Sequence, residues 1–323
     1  MVRRIFAVIL LLLAMALLIG VGAILGITPV GTRVLSSLGT PTPTPKPILT
    51  IQGTPPAVGA KAAYLLDADT GHVLVNINGQ QRLPMASTTK IMTALIALQS
   101  ADLQQVVIVK QDAVDEVKKN QGSSAFLVVG DKIRMLDLLY ALMLPSGDDA
   151  AITIADGIAG SPAKFVDIMN QYAQRMQLKQ THYINPDGLT YLTAQNKPDP
   201  QHYTSAADLV QLTHVALGNP LFAQIVALQE YKLPATAKHH AYDWMTTDNL
   251  LSMYPGALGV KTGFTPEAGY CLVFSATNEG HHLIGAFLND STQNPNVRFT
   301  DAGKLLDWGF ALPLRPPPTP VAQ

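Results

Sequence analysis

The sequence predicts an α/β (α+β) fold in which an antiparallel sheet, built from both chain ends, is flanked by helices and preceded by an N-terminal transmembrane helix. Three observations support this. Strand-like runs fall in two regions, residues 62–67 and 72–76 near the start and 259–264, 270–277 and 282–288 near the end. Between them the patterns are helical. Strands at both ends with helices between them favour one sheet assembled from distant segments. Ahead of all of these, residues 5–27 contain no charged side chain.

As a helix, residues 5–27 would extend about 35 Å, enough to cross a hydrocarbon core. A secretory signal has a shorter apolar core and a small-residue cleavage site after it, so residues 1–27 are expected to be an uncleaved anchor. Arg3 and Arg4 ahead of it argue for a cytoplasmic N-terminus and an exported remainder. Residues 28–56 are expected to be a linker, centred on Thr40-Pro41-Thr42-Pro43-Thr44-Pro45-Lys46-Pro47. Alternating proline favours polyproline II, a stiff stalk without a core.

The globular domain is assigned to residues 57–312. Residues 62–67 and 72–76 form a hairpin across Asp69-Thr70-Gly71. Ser87 opens an apolar run to Leu98 without Gly or Pro, the mark of a buried helix. Residues 102–134 are mixed and polar and carry no assignable period. Residues 136–144 are helical and stop at Pro145. Further helices begin near Asp148 and cover 164–176, 208–217 and 221–228. Residues 270–277 pair with 282–288 across Asn278-Glu279-Gly280, and 299–310 close the domain as a helix. Residues 313–323 are expected to be a disordered Pro-rich tail. No internal repeat is present.

Composition excludes several classes of function. With 22 Lys+Arg against 23 Asp+Glu the net charge is -1, so there is no basic stripe for nucleic acid. Cys271 is the one cysteine, which rules out an intramolecular disulfide and a cysteine-based zinc site. The histidine pairs His239-His240 and His281-His282 lack the H-E-x-x-H spacing. Neither a metal nor a cofactor is expected, and the lack of a G-x-S-x-G sequence argues against an α/β-hydrolase.

The stretch that carries chemistry is Ser87-Thr88-Thr89-Lys90. Residues three apart on a helix share a face, so a hydroxyl and an amine come within reach of one another. A serine is a nucleophile only when a neighbour takes its proton, and a lysine does so when burial or nearby positive charge lowers its pKa. The free N–H groups of a helix start, Ser87's among them, suit a developing oxyanion. Two further motifs follow in order: Pro145-Ser146-Gly147-Asp148 in a loop between helices, and Lys261-Thr262-Gly263 on a strand.

S-x-x-K with S-D-N and K-T-G is a signature of class A β-lactamases and penicillin-binding proteins. The trio here resembles the D-alanyl-D-alanine carboxypeptidases, low-molecular-mass penicillin-binding proteins of the serine peptidase type with a β-lactamase/transpeptidase-like fold. The resemblance covers residues 57–312. It extends to Asn185-Pro186-Asp187-Gly188-Leu189, like the family's N-P-x-G-L loop, to Gly269-Tyr270-Cys271-Leu272-Val273, and to the closing helix at Lys304-Leu305-Leu306-Asp307-Trp308-Gly309-Phe310.

The resemblance implies roles for nine residues. Ser87 would be the nucleophile and Lys90 its base, with Ser146 relaying a proton between the two lysines and the leaving amine. Lys261 would lower the pKa of Lys90 and attract the substrate carboxylate, and Thr262 would hydrogen-bond it. Gly263 would let the substrate lie along the strand, Phe264 N–H would be the second oxyanion donor, and Arg298 would help hold the carboxylate. The third position of the second motif is usually Asn. Asp148 takes its place, and an ionised carboxylate only accepts hydrogen bonds. It is expected to hold Lys90 or Lys261 rather than to donate to the substrate.

The implied substrates are peptidoglycan stem peptides ending in D-Ala-D-Ala, with β-lactam antibiotics as covalent inhibitors. A class A β-lactamase needs a deacylating glutamate between the second and third motifs, and the one glutamate there, Glu230, lies in no E-x-x-L-N pattern. A D,D-endopeptidase uses the same cleft chemistry, and a silent cell-wall binding module would retain the cleft without turnover. The catalytic domain is expected outside the cytoplasmic membrane, held by a single N-terminal pass. Only 13 residues follow Phe310, so this head anchor is expected in place of the C-terminal β-domain and amphipathic helix of some relatives.

Overall fold

A strand covered on both faces carries consecutive apolar side chains, and three segments near the C-terminal end contain such stretches, around Val260 and over residues 271–274 and 283–288. In the computed structural model, which describes residues 46–290 and 294–316, they are β8 (Ala257–Thr265), β9 (Gly269–Asn278) and β10 (His281–Leu288). They join β2 (Ala62–Asp67) and β3 (Val73–Ile77) in one five-stranded antiparallel sheet of order β3-β2-β10-β9-β8. The pairing that closes the two chain ends together is β10 with β2, running from Leu283 opposite Asp67 to Leu288 opposite Ala62. The sheet predicted from both chain ends is therefore the one observed. The expected membrane anchor, residues 1–27, lies outside the described residues.

Alternation along the strands sorts the core into two layers. Ala62, Val260, Cys271, Val273, Ile284 and Ala286 face the main helical layer. Ala63, Leu65, Leu272, Phe274, Leu283 and Phe287 face the closing helix, Val297–Phe310, through its Phe299, Ala302, Leu305 and Leu306.

The helical layer is built around α1 (Lys90–Ser100), whose first eight residues are all buried. In chain order it is followed by α2 (Gln111–Asn120), α3 (Met135–Met143), α4 (Asp148–Ala159), α5 (Pro162–Arg175), α6 (Ala206–Leu217), α7 (Pro220–Val226) and the short α8 (Leu250–Met253), with Val297–Phe310 as α9. Local chemistry marks several boundaries. Ser161 and Asn219 cap helices that carry Pro at the first position, and Ser205 accepts from Asp208 N at 3.1 Å.

Several regions differ from the sequence reading, among them residues 230–253, where β6 (Glu230–Leu233) pairs with β7 (Tyr242–Met245) ahead of α8. Residues 102–134 contain β4 (Val106–Ile108) paired to β5 (Lys132–Arg134), with α2 between them. Such three-residue strands are too short to display a period. The linker and tail boundaries also move. Ile48–Leu49, expected in the linker, forms β1 and pairs with β11 (Leu314–Arg315), expected in the disordered tail. Leu49 is 1% exposed and its carbonyl lies 3.2 Å from His72 Nδ1. One buried leucine and two backbone pairs are enough to fold both segments onto the domain, and a proline-rich context conceals them.

Candidate active site

Ser87 does not lie on α1 itself. It sits in a 3₁₀ turn, Ala86–Thr89, that leads into the helix at Lys90. Ala86 enters that turn at φ 47°, a sparsely populated conformation for a residue with a side chain. Such strain persists only where the surroundings over-determine it. The turn keeps the i, i+3 relation, so Lys90 Nζ lies 3.0 Å from Ser87 Oγ. Ser87 is half-buried at the floor of a cleft, and Lys90 is fully buried behind it.

Lys90 Nζ has two further partners. It donates to Asp148 Oδ1 at 2.5 Å and to the carbonyl of Asp187 at 2.6 Å. Of the two lysines that Asp148 was expected to hold, Lys90 is the one it bonds. Burial raises the pKa of Asp148, against the opposing influence of Lys90. Asp148 opens α4, and its neighbour Asp149 accepts from Ser124 Oγ and from the N–H groups of Ala125 and Leu127. Those bonds pin the segment that forms one wall of the cleft. Gly122 packs so closely there that a Cβ would fall 2.1 Å from Asp148 Oδ2.

The Asn185–Leu189 segment is held as a tight loop by its own side chains. Asn185 Nδ2 donates to Leu189 O, and Asn185 Oδ1 accepts from Gly188 N. Gly188, at φ 95°, lies against the turn of Ser87, where a Cβ would meet Ala86 O at 2.0 Å. Thr93 donates to Pro186 O, so the loop is bonded to α1 twice. Asp187 is fully buried and its pKa is pushed up to about 8, first by burial and then by the charge of Asp148.

β8 is an edge strand of the sheet, and its outer edge faces the cleft. Gly263 passes close enough to the nucleophile's turn that a Cβ would lie 3.2 Å from both Ser87 N and Ala86 Cβ. Lys261 is fully buried and donates to Thr262 O at 3.1 Å. Burial, and then the charge of Lys90, hold its pKa well below the usual lysine value. Thr262 Oγ1 lies 2.6 Å from Thr247 Oγ1. Arg298, at the start of α9, donates to Gly263 O at 3.1 Å and packs over the ring of Tyr270. Phe264 is exposed and stacks on Tyr270 with ring centroids 4.4 Å apart.

Ser146 is reached at φ 65° and is buried beside the cleft, and its Oγ has no hydrogen-bond partner. Neither lysine bonds it, so the expected relay contacts are not made in this state. The cleft has a volume of ≈ 700 Å³ and is lined by Ser87, Ser146, Asp148, residues 262–267 and Arg298, with residues 119–123, Leu189, Thr190 and Leu192 also contributing. All nine residues singled out in the sequence therefore line the cleft or, as with Lys90 and Lys261, lie buried against residues that do. Sequence reading missed Thr247, the role of Asp187, and Asp248, a buried carboxyl whose pKa is pushed up to about 6 by burial. Asp187 lay inside a quoted motif, whereas Thr247 and Asp248 carry no local signal.

The arrangement supplies a hydroxyl beside a buried amine, cationic groups at one end and an open strand edge for a peptide. That is the equipment of an acyl transferase. Comparison with known proteins agrees. The chain is 37% identical over 297 residues to the D-alanyl-D-alanine carboxypeptidase of Streptomyces sp. (strain K15), covering 88% of this chain and 97% of that protein. To D-alanyl-D-alanine carboxypeptidase DacF of Bacillus subtilis (strain 168) it is 34% identical over 255 residues, 78% of this chain and 62% of that one. The crystal structure of the Streptomyces K15 DD-transpeptidase superposes with a TM-score of 0.74 at 35% identity, covering 80% of this chain and 100% of that one. The D-alanyl-D-alanine carboxypeptidase family itself matches residues 50–292. With the match spanning all three motifs and the sheet that brings them together, the chain belongs to the D-alanyl-D-alanine carboxypeptidase family of serine peptidases, peptidase S11, acting on peptidoglycan stem peptides.

Proposed function

We propose that Ser87 Oγ attacks the carbonyl of the penultimate D-alanine, with Lys90 as the base. The Oγ–C bond forms, the proton passes to Lys90 Nζ, and the oxyanion is held by the N–H groups of Ser87 and Phe264. Ser146 then carries that proton from Lys90 to the departing amine, whose C–N bond breaks to release the terminal D-alanine. Water enters from the cleft and hydrolyses the serine ester, restoring Ser87. Lys261, Thr262 and Arg298 hold the terminal carboxylate, and the stem peptide adds as a strand to the edge of β8. The observation that carries this reading is the 3.0 Å approach of the buried Lys90 amine to a cleft-facing Ser87 hydroxyl.

A β-lactam acylates the same serine and remains there. In support, Glu230 sits on β6 (Glu230–Leu233), is exposed, and pairs with Lys232 at 2.8 Å, away from the cleft. The carboxypeptidase acts from the outer face of the cytoplasmic membrane, anchored by residues 1–27. That proposal rests on the uncharged run of residues 5–27 behind Arg3 and Arg4.

Labelling of the full chain in cells by a fluorescent penicillin tests both parts. The expected result is a label that persists for hours, is absent in Ser87→Ala, and sediments with membranes. A label lost within seconds would identify a β-lactamase, and a soluble label would remove the anchor. A folded wild-type chain that takes no label would favour a silent binding module.

A further inference from the structure

We propose that Glu267 binds the side-chain ammonium of the third residue of the stem peptide, making the enzyme selective for stems whose diamino acid carries a free amine. The inference rests on the reading of the site given above, in which the terminal carboxylate lies at Thr262 and the scissile carbonyl at Phe264 N–H. A peptide added antiparallel to an edge strand advances about 3.4 Å per residue. From those two fixed points the stem runs toward Thr265 and Pro266, the end of β8. Its third residue then comes level with the turn between β8 and β9, and Glu267 stands on that turn.

Three observations place a usable carboxylate there. Glu267 is half-buried and lines the cleft. Its Oε2 accepts from Thr190 Oγ1 at 2.7 Å, so the side chain is held in place rather than swinging in solvent. Thr190 engages one carboxylate oxygen and leaves the other for a cation. The only other acidic residue among those lining the cleft is Asp148, which is buried and bonded to Lys90. The lining cations are Lys119 and Arg298, and the reading above gives Arg298 to the terminal carboxylate. The third position of a peptidoglycan stem is a diamino acid, lysine or diaminopimelate, and both present an ammonium on a flexible chain. A charge-assisted hydrogen bond at such a site changes kcat/KM by about tenfold.

The test uses the full chain and three N-capped peptides ending in D-Ala-D-Ala, with L-lysine, Nε-acetyl-L-lysine or meso-diaminopimelate before them. The wild type is expected to favour the lysyl over the acetyl-lysyl peptide about tenfold, mainly through KM, with the preference weakening as salt rises. Glu267→Gln keeps an acceptor for Thr190 and should bring that ratio close to one. The diaminopimelyl peptide identifies the source of the ammonium. A loss in Glu267→Gln on both free-amine peptides assigns recognition to the shared group, and a loss on one alone names the diamino acid. Equal rates on lysyl and acetyl-lysyl peptides in the wild type, or a preference that survives Glu267→Gln, would overturn the proposal. Failure of the underlying reading has a different signature, namely hydrolysis of all three peptides that persists in Ser87→Ala.

Discussion

Three oxygens crowd Lys90 Nζ, and only one of them belongs to the nucleophile. Replacing Asp148 by Asn keeps an acceptor of the same shape and restores the donor usual at this position in the family. Asp148→Asn should therefore acylate with penicillin within about tenfold of the wild-type rate, a barrier change of about 1.4 kcal/mol. Asp148→Ala removes one partner of the buried Lys90–Asp148 pair and should cost about 3–5 kcal/mol of stability. Stopped-flow acylation and chemical denaturation read the two effects. Asp187 sets a different expectation. Its folded pKa of about 8 lies above the unfolded value of about 3.9, so the folded state binds the extra proton. Its contribution is fully present below about pH 4 and is lost as pH rises through 8. The stability of the wild type relative to Asp187→Asn should fall steadily from pH 5 to pH 8. A flat difference in denaturation midpoint would mean that Asp187 is ionised throughout. Ser87, Lys90, Ser146 and Lys261 were legible in the sequence because each sits in a short motif whose chemistry requires that residue. Thr247 and Asp248 were not, because only the folded chain brings them beside Thr262 and Lys261.

Helices and strands were legible where one period persisted long enough to be read. The strands of the central sheet fall within one or two residues of expectation, because burial on both faces leaves an apolar run with sharp polar ends. The start of α1 was misplaced by three residues, since an apolar stretch does not distinguish a 3₁₀ turn from the helix that it enters. That difference matters chemically, because the turn brings Ser87 to the cleft while Lys90 stays buried. β1 is the clearest failure of pattern reading. Two residues have no period, yet Leu49 packs with Leu65, Phe287 and Leu312 in the layer beneath α9. A chain beginning at residue 57 discards that leucine, so it should be about 2–5 kcal/mol less stable than one beginning at residue 46. Urea denaturation of the two truncations measures the difference, and equal midpoints would show that β1 contributes nothing.

At the scale of the molecule, the three motifs are about 60 and 115 residues apart along the chain, and the sheet and α1 gather them into one cleft. Ser87 comes from the turn before α1, Ser146 and Asp148 from the start of α4, and Lys261 from the sheet's edge. Sequence order and spatial order differ most at β10, which inserts between β2 and β9. Loop closure over about 200 residues makes that pairing slow relative to the local helices. The ribosome delivers the chain from its N-terminus, so the β2–β3 hairpin is made with one edge unsatisfied and stays so until residues 281–288 appear. The hydroxyl of Ser87 is likewise made long before Lys261 and the strand edge opposite it. A nascent chain is thus a latent enzyme, and turnover starts only when synthesis of its last quarter locks the sheet.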